Sequence, residues 1–212
     1  MRKNYIPAFN FDFLTPFYDL LLELIGYGYT QRIKVVKLLK LRGGEKLLDV
    51  GCGTGTLLQV AKQLHPEVNM FGVDIDNNVL SLARKKVNKN KLQIAFTQAS
   101  ANNLPFKDRT FDIVVSTLIF HHLPTQVKIQ AISEIYRVLK PKGRFLLADF
   151  GRNNSFSIKL WSALAHLIKL PEAITIEDNL SGFIPNYLEK AGFKIMEVAP
   201  VYKGIQFLLC TK

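Results

Sequence analysis

Leu47-Leu48-Asp49-Val50-Gly51-Cys52-Gly53-Thr54-Gly55, followed about twenty residues on by Phe71-Gly72-Val73-Asp74, decides how this chain is read. The first apolar run describes a buried strand, Gly-x-Gly-x-Gly a turn, and the second run a strand that ends in a carboxylate. Glycine has no Cβ and tolerates positive φ, so the backbone of such a turn can come close to a ligand. A nucleoside then lies across it, with Asp74 accepting hydrogen bonds from the ribose hydroxyls. The spacing is not that of the dinucleotide fingerprint, whose third glycine follows two intervening residues, because Gly55 follows Gly53 after one. No Gly-Lys-Ser/Thr closes a phosphate-cradling loop. Neither NAD nor ATP is the first choice.

Other segments agree. Leu104-Pro105-Phe106-Lys107-Asp108-Arg109-Thr110-Phe111-Asp112-Ile113-Val114 reads as a turn into a strand, and Arg137-Val138-Leu139-Lys140-Pro141-Lys142-Gly143-Arg144 as the end of a helix before another. With Leu14-Thr15-Pro16-Phe17-Tyr18-Asp19 near the start and Leu188-Glu189-Lys190-Ala191-Gly192-Phe193 near the end, the chain resembles the class I S-adenosylmethionine-dependent methyltransferases. Within them it is similar to the branch that includes the ubiquinone/menaquinone C-methyltransferases. The resemblance covers most of the chain, strongly from about residue 14 to 150.

That resemblance implies S-adenosylmethionine as cofactor, held by Tyr18, Asp49, Gly51, Cys52, Gly53, Gly55, Asp74, Ile75, Ser100, Ala101 and Ser116. One departure stands out. The family places an Asp against the adenine amine ahead of Leu-Pro-Phe, where this chain has Ser100, whose hydroxyl accepts a hydrogen bond without charge assistance.

With 212 residues, 48% hydrophobic and 21% charged, the chain suits a single globular domain with a sizeable core. The segments are a helical cap (1–42), a cofactor-binding core (43–150), an inserted lid (151–182) and a terminal helix with a hairpin (183–212). Cys52 and Cys210 have neither metal-ligand nor disulfide-framework spacing, which points to a reducing compartment. No secretory signal is recognised, and the apolar stretch from Phe13 to Ile25 is short and interrupted by Asp19 and Glu23. A cytoplasmic location is expected. The formal charge of +11 favours anionic partners, whereas Arg84-Lys85-Lys86 with Lys89 and Lys91 also suits a solvated helix end.

From Gly43 to Phe150, short apolar runs alternate with helical patterns, the sign of a parallel sheet covered on both faces. Strands are expected at about 45–50, 68–74, 92–97, 111–116 and 143–150, and helices at about 55–65, 77–88 and 125–140. Asn77 or Thr125 serve as caps and Pro141-Lys142-Gly143 as a stop. Two closing strands, about 193–199 and 204–210, are joined so tightly around Lys203-Gly204 that only an antiparallel pair is possible. The fold class is therefore α/β: a doubly wound, Rossmann-like, seven-stranded sheet, mostly parallel, ending in an antiparallel hairpin.

Two flanking segments bear on the acceptor. Residues 1–42 are rich in aromatics and end in a basic helix with Arg32, Lys34, Lys37 and Lys40. In Ser157 to Leu170, Lys159, Ser162, His166 and Lys169 form a narrow polar stripe beside a broad apolar surface that includes Trp161. The stretch reads either as a helix packed on the core or as a lid over an apolar acceptor.

Methyl transfer from a sulfonium requires proximity, alignment and a dry site, and aromatic faces such as those of Tyr18 and Phe17 suit the cation. His121 and His122, leaving the fourth strand, are the candidate general bases, although a lone His is more often structural. Ser116-Thr117-Leu118-Ile119-Phe120-His121-His122-Leu123-Pro124 carries none of the acceptor motifs of nucleic-acid or protein-arginine methylation, which leaves a small acceptor. The acceptor is expected to be apolar, with peripheral membrane contact. No metal site and no nucleic-acid partner are expected, since ligand spacings and stacking-aromatic RNA motifs are both missing. An NAD-linked oxidoreductase and a non-catalytic nucleotide or nucleic-acid binder are the competing readings.

Overall fold

The computed structural model describes residues 28–151, 171–202 and 204–212. Tyr18, the other aromatics up to Tyr27 and the expected helix at 157–170 lie outside the described residues. The elements are α1 (Tyr29–Leu39), β1 (Lys46–Val50), α2 (Thr56–Leu64), β2 (Asn69–Asp74), α3 (Asn77–Lys89), β3 (Ile94–Gln98), β4 (Phe111–Thr117), a 3-10 turn (Phe120–His122), α4 (Thr125–Val138), β5 (Leu139–Phe150), α5 (Pro171–Ser181), α6 (Ile184–Lys190), β6 (Lys194–Tyr202) and β7 (Ile205–Thr211).

Seven strands form one sheet in the order β3-β2-β1-β4-β5-β7-β6. The first five run parallel, and β7 enters antiparallel between β5 and β6. Central strands are apolar on both faces because helices cover both, as in β1, where Leu47, Leu48 and Val50 are fully buried. Strand β3 lies at an edge, and its less apolar sequence leaves Ala95, Thr97 and Gln98 exposed. Alternate residues of the strands feed two cores. Leu47, Ile113, Val115 and Leu146 pack with α1, α2 and Leu80 of α3, while Leu48, Val50, Val114 and Phe145 pack with α4 and α6.

Three local expectations are corrected. The cap of α3 is Asp76, whose carboxylate accepts the Asn78 N–H at 2.8 Å, not Asn77. Thr125 is the first helical residue of α4, with Pro124 before it, and its hydroxyl donates to Asp178 across the fold instead of capping. Helix α4 ends at Val138, and Pro141-Lys142-Gly143 lies inside β5 as a bulge. Leu139 pairs with Phe111 and Arg144 with Ile113, so residues 140–143 stand opposite Asp112 alone. Lys140 fastens this loop to Asp112 at 2.7 Å.

Candidate functional site

The glycine turn sits at the carboxyl ends of β1 and β2, where ligands bind in open α/β sheets. The N–H groups of Gly51 and Cys52 both donate to the Val73 carbonyl, at 2.8 and 2.9 Å, which folds the turn back over β2. Two of its glycines are walled in: a Cβ on Gly51 would lie 2.4 Å from Cγ2 of Ile119, and one on Gly55 2.8 Å from Cζ of Phe96. At Gly53 the same Cβ would meet nothing within 4 Å. The turn is therefore packed on its protein side and open at Gly53, where a ligand can rest against bare backbone.

Two carboxylates flank the opening. Asp74 accepts the Gly53 N–H at 2.8 Å on one oxygen and the Asp76 N–H at 3.0 Å on the other. Its burial raises its pKa, a rise opposed by these donors. Asp49 is 1% exposed, and its Oδ1 has no hydrogen-bond partner. Burial pushes its carboxyl up to about 8, and the Asp74 charge adds to the shift. A buried carboxylate oxygen without a donor is costly, so this position favours a ligand cation or amine. The N–H of Ala99 donates to the Asp74 carbonyl at 3.0 Å, bringing Ser100 and Ala101 to the same edge. The Ser100 hydroxyl there bonds the Asn102 side chain at 2.5 Å. Ile75 is 37% exposed beside Asp74, and its carbonyl accepts from Gln98.

Ser116 and Cys52 are both buried. The Ser116 side chain is fully buried, and its hydroxyl donates to the Val50 carbonyl at 2.8 Å, clamping β1 to β4 just below the turn. Cys52 is buried, and its thiol pKa is pushed well up by burial and the two neighbouring carboxylates, so it is a thiol and not a thiolate.

Beyond β4 the chain turns past Ile119, the residue packed on Gly51, into the two histidines. His121 Nδ1 lies 2.8 Å from Asp149 Oδ1 at the end of β5. Asp149 also accepts the N–H groups of Phe120 and Phe150, each at 2.7 Å. Burial alone would raise the Asp149 pKa, but His121 and these N–H donors more than offset it, and the carboxyl stays below its usual range. The His121 ring also packs edge-on against Phe150. The ionised carboxylate accepts a hydrogen bond from Nδ1, which fixes the orientation of the ring and turns Nε2 away from Asp149. His122 differs. Its ring lies 3.9 Å from that of His121, and burial, reinforced by its neighbour, lowers its pKa to about 3, so it stays neutral.

Residues 47–143 match a methyltransferase domain family. A demethylmenaquinone methyltransferase of Lactobacillus johnsonii is 37% identical over 71% of this chain, the match spanning 63% of that relative. The enzyme of the same description from Thermotoga maritima is 30% identical over 71% of the chain and 68% of its own length. The chain belongs to the S-adenosylmethionine-dependent methyltransferases. The first of these matches spans less than two-thirds of the relative's length. The fold agrees: a methyltransferase structure from Aquifex aeolicus superposes with a TM-score of 0.66 over 85% of this chain and 88% of that one, at 24% identity.

For a methyltransferase the turn fits its cofactor. The open face at Gly53 suits a nucleoside, the unpartnered Asp49 oxygen suits an amino group, and Asp74 retains lone pairs for ribose hydroxyls. Membership of this family sets aside the dinucleotide oxidoreductase. Of the residues assigned from the sequence, the structure gathers Asp49, Gly51, Cys52, Gly53, Gly55, Asp74, Ile75, Ser100 and Ala101 at one edge, with His121 adjoining through Ile119. Asp149 went unread. Its signal was an acid closing the otherwise apolar run Phe145-Leu146-Leu147-Ala148, the same pattern as Asp49 and Asp74. Among the described residues no group of three or more His, Cys, Asp or Glu is placed to hold a metal ion, and no helix is long and apolar enough to cross a membrane.

Proposed function

We propose that this chain is one catalytic domain that transfers a methyl group from S-adenosylmethionine to a small apolar acceptor, quinone- or lipid-like, reached through peripheral contact with a membrane. The observation that carries the reading is the His121–Asp149 pair, set at 2.8 Å beside the glycine turn and joined to it by Ile119 on Gly51. The names of the relatives supply the acceptor class.

Bound at the turn, the cofactor supplies a methyl group already activated on a sulfonium. The protein's share is then alignment, exclusion of water and removal of one proton. Asp49 would hold the cofactor's amino group and Asp74 its ribose hydroxyls, with the bare Gly53 backbone against the nucleoside. His121, presented through Nε2, takes the proton that the acceptor loses as the methyl bond forms, and Asp149 stabilises the resulting imidazolium. His122, kept neutral by burial, packs behind it and is not the base.

The test is to incubate the purified protein with S-adenosylmethionine and demethylmenaquinone in mixed lipid vesicles and to weigh the products. A quinone heavier by one methyl group is expected. Cofactor binding without any methylated quinone would reject the acceptor class.

A further inference from the structure

The layer formed by α1, α2 and α3 carries charge of one sign. Every charged residue within Tyr29–Leu39, Thr56–Leu64 and Asn77–Lys89 is a Lys or an Arg. The acid that opens α3, Asp76, is 9% exposed and occupied with the Asn78 N–H. The opposite layer mixes signs and pairs them, as in Lys128 with Asp178 and Arg137 with Glu134. Among the described helices, the excess positive charge is thus concentrated on one face.

Helix chemistry explains only part of this. Cations in a last turn complement the helix dipole, which covers Lys37, Lys62, Lys86 and Lys89. The same dipole favours acids in the first turn, and none of the three helices has one there. Arg84 and Lys85 precede the last turn of α3, and exposed Lys85 and Lys89 stand four residues apart, a like-charge spacing that costs stability. The three helices form one surface, since α1 packs on α2 and Lys86 of α3 reaches the Thr56 hydroxyl of α2 at 3.2 Å.

We infer that this face docks on an anionic phospholipid bilayer. The inference rests on the membrane-carried acceptor proposed above and names the surface that meets the membrane. Lysine is a compact, strongly hydrated charge suited to diffuse attraction by headgroups, and it predominates here over arginine. Apolar side chains of these helices are also exposed, Tyr29 at 51% and Leu64 at 50%, and can enter the headgroup level. Single-stranded nucleic acid is recognised on aromatic stacking platforms, and Tyr29 is the one exposed aromatic of these three helices. Helices α2 and α3 both begin at the ligand edge of the sheet, so a bilayer against this layer borders the opening of the site.

The experiment is cosedimentation of the whole chain with phosphatidylserine/phosphatidylcholine vesicles and with phosphatidylcholine alone, at low and high salt. Calorimetry with S-adenosylmethionine is run on every variant. The variant Lys37→Gln/Lys85→Gln/Lys89→Gln is compared with Lys107→Gln/Lys142→Gln/Lys190→Gln, which removes the same charge elsewhere. Wild type is expected to bind the anionic vesicles at low salt only. The first variant should partition about a hundredfold more weakly and the second nearly as wild type, with cofactor affinity unaltered in both. The single substitutions, about fivefold each, serve if the triple variant does not fold. Equal losses in the two triples, no vesicle binding by wild type, or binding of a short RNA through these lysines in place of vesicles would each overturn the docking face. Vesicle binding without cofactor binding would overturn the methyl-transfer reading and leave the face standing.

Discussion

His121 Nδ1 and Asp149 Oδ1 lie 2.8 Å apart, and the same carboxylate is pinned by the Phe120 and Phe150 N–H groups. Asp149 therefore cannot swing away from the imidazole without abandoning two backbone donors, and the ring is held in one tautomer. Asp149→Asn is predicted to cut turnover by about a hundredfold or more while leaving cofactor affinity alone. Nitrogen NMR of labelled histidine checks the cause. Wild type should show protonated Nδ1 on His121, and a variant that is slow with this tautomer intact would place the role of Asp149 elsewhere.

Cofactor binding should depend on pH through Asp49. Its carboxyl holds a proton up to about 8 in the free protein and must lose it to pair with a ligand ammonium. Affinity is then expected to rise with pH by up to about tenfold per unit and to level off near 8, where an α-amino group itself titrates. In Asp49→Asn the acid limb should vanish. Calorimetry across pH 6 to 9 decides it, and an identical limb in the variant would assign the proton to another group.

Asp74→Ala leaves ribose hydroxyls without an acceptor and frees the Gly53 N–H, so cofactor binding should weaken by about 1–3 kcal/mol. Unchanged affinity in that variant would remove Asp74 from the site.

The glycines separate packing from binding. Gly51→Ala places a Cβ 2.4 Å from Ile119 at a φ of 76°, and several kcal/mol of stability should be lost. Gly53→Ala meets open space, so the cost is the left-handed backbone alone, roughly 1–2 kcal/mol. Yet Gly53→Ala should lose the cofactor. Chemical denaturation of both variants, with calorimetry of the second, tests the pair.

Acid stability has a predicted source in His122. Its pKa falls from 6.5 to about 3 on folding, so the unfolded chain binds the proton first. Its contribution is complete above pH 6.5 and is lost as pH falls toward 3, on the order of a few kcal/mol. Asp49 acts oppositely: raised from 3.8 to about 8, it favours the fold at low pH and loses that contribution as pH rises toward 8. His122→Phe should flatten the acid side of a stability profile and Asp49→Asn the neutral side.

Strands, helices and glycine turn were legible because each announces itself locally: a continuous apolar run for a strand covered on both faces, and glycines where a side chain does not fit, at Gly51 and Gly55, or where the backbone is left-handed and open, at Gly53. What escaped depended on distant partners. Thr125, expected as a helix cap, and Lys128 of the same helix both reach Asp178 of α5, about fifty residues on, and Lys128 is fully buried there. The Ser116 hydroxyl, at a position that the resemblance assigns to the cofactor, is held by the Val50 carbonyl of the neighbouring strand. Asp149 reads as the end of a strand until His121 is folded against it. Pairings of this kind follow from topology, and no periodicity encodes them.

The bulge in β5 has a practical consequence. Residues 140–143 face a single residue of β4, at the amino end of the strands and remote from the glycine turn, and Pro141 and Lys142 are exposed. The pairing on either side is fixed independently, at Leu139 with Phe111 and from Arg144 onward. Extra residues inserted between Pro141 and Lys142 would lengthen a loop without shifting the register, which makes this point a handle for a fluorophore or a surface tether while the ligand edge stays untouched.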